Sequence, residues 1–170
     1  AKQQISNLLP ELRSLQQYDL NKPKIYYLEG KEGIRQVFWQ VLDEADEIIG
    51  YASNEDDAKY LTDITPEYYE KRVAKKIPAR AIIPALPFNI KQTMLEEKKY
   101  LRPTHLIPAE YNYPIQVNIY KNTTIFCSYE ENFALMIKSQ PIAACLKKMF
   151  EFAFERTEEC DREIRATNRL

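Results

Sequence analysis

Pro114 to Ser128 reads P-I-Q-V-N-I-Y-K-N-T-T-I-F-C-S. Ile115 to Tyr120 and Thr123 to Ser128 are rich in β-branched and aromatic residues, and they flank the polar pair Lys121-Asn122. That pattern predicts a hairpin, with Asn122 as the residue that tolerates a left-handed turn conformation. Phe133 to Lys138 follows as an almost unbroken apolar run, which predicts a strand buried on both faces. Three consecutive strands in the second half contrast with what precedes them.

Upstream the chain alternates. Ile25 to Leu28 reads as a short strand, and Gly30 opens a helix in which Ile34, Val37, Phe38, Val41 and Leu42 recur at i, i+3, i+4, i+7 and i+8. Glu47 to Ala52 reads as a second strand, and Ser53 to Asp63 as a polar loop. Thr65-Pro66 predicts a helix start, with Thr65 as N-cap and proline in the first turn, running to about Lys76. Arg80 to Pro84 reads as a third strand, followed by a helix near Asn89 to Tyr100. Pro141 begins the last predicted helix, with Ile142, Leu146, Met149, Phe150 and Phe154 toward the core. Alternation followed by consecutive strands predicts an α/β domain with a mixed sheet flanked by helices.

At the N-terminus Ile5, Leu8, Leu9, Leu12 and Leu15 form an apolar stripe at helical spacing, interrupted by Pro10. Such a segment either packs on its own domain or pairs with a second copy. The expected organisation is a short linker helix over 1–20, a domain over 23–156 that begins after Asn21-Lys22-Pro23, and a charged, fraying tail over 157–170. The chain opens on Ala1 inside this helical pattern, so the natural protein is expected to extend upstream.

Composition narrows the function. The 170 residues suffice for one domain with its own core, and 24 basic against 25 acidic residues give a net charge of -1. No basic field exists to hold nucleic acid, so Tyr26-Tyr27 and Tyr111-Asn112-Tyr113 read as core and loop residues rather than stacking platforms. Cys127, Cys145 and Cys160 lack ligand spacing and fit free thiols in a reducing, cytoplasmic setting; no run is long and apolar enough to span a membrane. With one histidine and three scattered cysteines, neither a metal site nor a cofactor is expected. Three glycines leave little material for a phosphate-cradling loop. The acidic groups Asp43, Glu44, Asp46, Glu47 and Glu55, Asp56, Asp57 read as solvated surface.

The hairpin resembles the segment where phospholipase D-like enzymes carry H-x-K-x4-D. On that template the His position is Pro114, the Lys position Gln116 and the Asp position Lys121. That chemistry needs a His nucleophile, a second His as acid and Lys on the phosphate oxygens. The sole histidine, His105, has Ile107 at +2 and Asn112 at +7 and fits no better. No enzyme activity is expected. The run K-I-Y-Y-L-E-G-K-E-G-I (Lys24 to Ile34), Y-Y-E-K-R (Tyr68 to Arg72), Leu101-Arg102 and the hairpin leading into F-A-L-M-I-K-S are similar to the effector domain of TrmB-like transcriptional regulators. The resemblance covers about Pro23 to Phe154.

It implies a phospholipase D-like half-domain without its catalytic residues, serving as the effector-sensing or dimerisation part of a regulator. A homodimer through Ile5, Leu8, Leu9, Leu12 and Leu15 and a small-molecule effector are then expected. DNA would be bound only through a winged helix-turn-helix upstream. A structural scaffold with no ligand is the alternative. The ends of the strands, where open α/β sheets form crevices, suggest Glu29, Tyr51, Ser53, Arg72 and Arg102 as ligand-binding candidates. Either arginine could hold an anion bidentately or form an internal ion pair.

Overall fold

The structure is a computed structural model that describes residues 22–168. The segment with Ile5, Leu8, Leu9, Leu12 and Leu15 lies outside the described residues. Seven strands, β1 (Lys24–Glu29), β2 (Ile48–Tyr51), β3 (Ala79–Pro84), β4 (Thr104–Ile107), β5 (Gln116–Tyr120), β6 (Thr123–Ser128) and β7 (Phe133–Lys138), form one sheet. Among the described residues six α-helices accompany them: α1 (Gly30–Glu44), α2 (Asn54–Tyr60), α3 (Thr65–Ala74), α4 (Pro87–Glu96), α5 (Gln140–Arg156) and α6 (Glu158–Thr167). The strand order is β1-β7-β6-β5-β2-β3-β4. β2, β3 and β4 run parallel, whereas β1, β7, β6, β5 and β2 pair antiparallel in turn. The expected α/β mixed sheet flanked by helices is the observed architecture.

Registers separate the residues into two faces, because neighbours opposite each other in a ladder share a side. One face carries Gly50, Ala81, Thr104, Asn118, Ile125 and Met136. Against it pack the buried residues of α1, with Tyr68 from α3 and Ile90 from α4. The other carries Ile49, Ile82, Ile119 and Tyr51, covered by Ala143, Leu146, Phe150 and Phe154 of α5. Gly50 is required by the closeness of β5: a Cβ there would sit 1.9 Å from the carbonyl oxygen of Val117.

Several local expectations are corrected. Ser53 to Asp63 is not a loop throughout, because Ser53 accepts from Asp56 N at 3.3 Å and caps α2, whose first turn is acidic. Thr65 does not cap α3; Ile64 holds that position and the Thr65 hydroxyl donates back to Leu61 O. In the hairpin the positive φ (44°) falls on Lys121 rather than Asn122. β7 is buried on one face only, with Ala134 and Met136 inside and Phe133, Leu135 and Ile137 half-exposed. β4, parallel to β3, was not anticipated.

Residues 157–168 do not form a fraying tail. α6 wraps the β4 edge: Asp161 Oδ1 accepts from Leu106 N at 2.8 Å, and Arg165 donates to Thr104 O at 2.7 Å. Its charged residues look solvated in sequence, yet Asp161 is buried and Ile164 packs on Ala81, Ile83 and Leu106.

A buried polar lattice as the candidate functional site

Asn54 and Asp57 of α2 lie one turn apart and both point inward. Asp57 is buried, contrary to its reading as surface acid. Tyr69 of α3 donates to Asp57 Oδ2 at 2.6 Å and accepts from Arg102 Nη1 at 3.1 Å. Arg102 Nη2 donates to Asn54 Oδ1 at 2.6 Å. The Tyr129 hydroxyl, just past β6, lies 3.2 Å from Asp57 Oδ1 and in contact with Gln116 Oε1. A phenol has one proton and cannot donate to both oxygens. Desolvation pushes the Asp57 carboxyl up, against the phenols of Tyr69 and Tyr129 and the Arg102 charge. A protonated Asp57 would donate to Tyr129 and leave its hydroxyl hydrogen for Gln116.

Burial opposes the Arg102 charge, but Tyr69 and Asp57 outweigh it and the guanidinium is held protonated. Burial also keeps the Tyr69 and Tyr129 phenols neutral. Cys127, beneath them on β6, has its thiol pushed up to about 12 and is inert as a nucleophile. Arg102 Nε is buried without a hydrogen-bond partner among the described residues.

The expected sites divide. Of Ser53, Arg72 and Arg102, Arg102 belongs to the lattice, Arg72 borders the inner cavity beside it, and Ser53 bonds Asn89. Ser53 Oγ lies 3.4 Å from Asn89 Nδ2, and Asn89 Oδ1 accepts from Glu55 N. Among the described residues Arg72 makes no ion pair: it donates to the carbonyls of Ile77, at 2.6 Å, and Tyr100. Tyr51 lies on the opposite face, edge-on to Tyr113 and Phe150, and Glu29 ends edge strand β1. Neither reaches the lattice. Asp57, Asn54, Tyr69 and Tyr129 were missed. Asn54, Asp57 and Leu61 at i, i+3 and i+7 were the signal, visible only once the segment is read as helical.

Two spaces flank the lattice. A cleft of about 250 Å³ is lined by Asn54, Asp57, Thr65, Tyr69, Gln92 and Glu96. An inner cavity of about 30 Å³ touches Arg72, Arg102, Tyr68, Gln116 and Asn118, and has room for one water-sized species. The cleft can take a small polar molecule, offering hydroxyl, amide and carboxyl groups but no activated nucleophile.

His105 stands elsewhere. It pairs with Ile82 in register and so faces α5, while Gln116 pairs with Cys127 on the other side. Its Nδ1 donates to Phe154 O at 2.7 Å, and its ring stacks on Phe154 at 3.8 Å. Pro114 is exposed and Lys121 pairs with Asp46 at 3.2 Å. Three further acids of that first cluster are paired: Asp43 with Lys75, Glu44 with Lys138 and Glu47 with Arg80. Among the described residues no three His, Cys, Asp or Glu side chains form a metal-binding group, and no helix is long and apolar enough to cross a membrane.

No protein-family model and no curated protein sequence matches this chain. Among solved structures it is similar to TrmBL2, an archaeal chromatin protein whose structure shows a novel mode of DNA binding. The TM-score is 0.56 at 13% identity, over 92% of this chain and 66% of that one. It is also similar to polyphosphate kinase from Porphyromonas gingivalis, with a TM-score of 0.53 at 8% identity over 77% of this chain and 26% of that one. The chain thus spans just under two-thirds of the TrmBL2 chain and about a quarter of the kinase. At such identities the likeness is one of fold: an α/β domain built on a mixed sheet flanked by helices.

Proposed function

We propose that this chain is the regulatory domain of a TrmB-like transcriptional regulator, binding a small effector in the cleft beside Asp57, Tyr69 and Arg102 without catalysis. The observation that carries the reading is Gln116. Where the phospholipase D template needs a lysine on phosphate, a neutral amide accepts from Tyr129 inside a closed network. Pro114 and Lys121 fill the other two positions with groups that cannot attack a phosphodiester or orient a base. The likeness to TrmBL2 supports the regulatory class.

In this reading the protein is a cytoplasmic homodimer, with Ile5, Leu8, Leu9, Leu12 and Leu15 in the contact. It would touch DNA only through an upstream winged helix-turn-helix. An effector would act by favouring one arrangement of the two copies over another, which requires different affinity for the two. A ligand-free scaffold is the second reading, favoured by how fully Arg72 is engaged by backbone carbonyls. Incubation with bis(p-nitrophenyl) phosphate tests the shared claim of no catalysis. The expected result is no release of nitrophenol above buffer; turnover that disappears in His105→Ala would overturn it.

A further inference from the structure

The two edges of the sheet are treated differently. At β4, side chains of α6 take up the outward backbone groups Leu106 N and Thr104 O. At β1, no side chain of the described residues bonds an outward backbone group, no proline or bulge interrupts the strand, and charges stand only at its ends, Lys24 and Glu29. Ile25 and Tyr27 are 64% and 63% exposed. An uninterrupted, apolar edge that no described residue covers is a pairing site that proteins ordinarily blunt.

We infer that β1 pairs antiparallel with β1 of a second copy, joining two seven-stranded sheets across a two-fold axis at Tyr26. The phase follows from one bond. Gly30 N donates to Asn132 O, so the even-numbered residues of β1 turn their backbone groups toward β7, and Ile25, Tyr27 and Glu29 turn theirs outward. A two-fold axis normal to the sheet keeps both copies' faces aligned, so residues of like parity must meet. Centring on Tyr26 sets Ile25 opposite the partner's Tyr27 and the reverse, with both pairs hydrogen-bonded. Centring on Tyr27 would set each Ile25 against a Glu29. In the favoured register the Ile25–Tyr27 pairs extend the half-exposed row of Leu135 and Ile137. The partner is therefore a second copy of this chain. The surface differs from the N-terminal stripe proposed above and shares with that reading only the homodimer.

The test uses the full chain. Sedimentation should give twice 20.1 kDa. Tyr27→Lys, at an exposed position, should weaken the dimer about tenfold or more without changing the melting temperature of the monomer. Tyr26 then faces its own mate across a non-hydrogen-bonded pair about 4.5 Å apart, within disulfide reach. Tyr26→Cys, in a Cys145→Ser/Cys160→Ser background, should cross-link on oxidation, whereas Glu32→Cys in the same background should not. A dimer that ignores Tyr27→Lys and leaves Tyr26→Cys uncross-linked overturns this inference alone. A monomer at every concentration overturns it together with the homodimer proposed above, leaving the effector site to its own test.

Discussion

The Tyr69 hydroxyl lies 2.6 Å from Asp57 Oδ2, and through it the Arg102 guanidinium reaches the carboxyl. The acid and the base are joined by a phenol rather than by a direct ion pair. That relay fixes α2, α3 and the chain before β4 to one another, and its outer side is the wall of the cleft.

Tyr69→Phe removes the relay while keeping the ring. Asp57 loses its shortest bond and Arg102 Nη1 loses its acceptor, both inside the protein. The expected cost is about 1–3 kcal/mol by urea denaturation. An unchanged midpoint would mean that the relay does not hold these elements.

Asp57 should give an unusual pH dependence. Its folded pKa is raised above the ordinary 3.8, so the folded state binds protons more tightly than the unfolded one. The stability it contributes is fully present below about pH 3.8 and is lost as pH rises through the folded pKa. Measured from pH 4 upward, wild-type stability should therefore fall relative to Asp57→Asn. A relative gain with pH would mean that Arg102 and the phenols outweigh burial.

Asp161→Ala strips the acceptor from the buried Leu106 N–H and one of the two carboxylates that Arg165 bonds, leaving it Glu97. A loss of about 1–3 kcal/mol is expected in the same denaturation experiment. A chain ending at Arg156 should aggregate through the bared β4 edge. A stable, monodisperse truncation would show that α6 is dispensable.

Gly50→Ala pushes a methyl group into the Val117 carbonyl and must part β2 from β5. The expected penalty is about 3 kcal/mol or more, beyond ordinary overpacking. A near-neutral result would be incompatible with the β2–β5 register.

The periodicity of α1 and the hairpin were legible because each expresses its own burial pattern locally. α6 was not, because its packing depends on two charged side chains, Asp161 and Arg165, that bond backbone groups on a strand about 55 positions away. Asp57 was hidden for a related reason. Its neighbours Glu55 and Asp56 look solvated, and only the partners Tyr69, Tyr129 and Arg102, from three distant segments, make burial of a carboxyl tolerable. Arg72 and Arg102 stand out in the sequence by their type and position, but carbonyls rather than carboxylates hold Arg72.

The most direct test of effector binding is the melting temperature of the wild-type chain and of Gln92→Ala, in the cleft lining, with glucose, AMP, citrate and inorganic phosphate. A ligand specific for the folded state raises the melting temperature by mass action. The account predicts a concentration-dependent rise with at least one of these probes, diminished in Gln92→Ala. No rise with any probe, or an equal rise in both proteins, would contradict a sensor at this cleft and leave the scaffold reading.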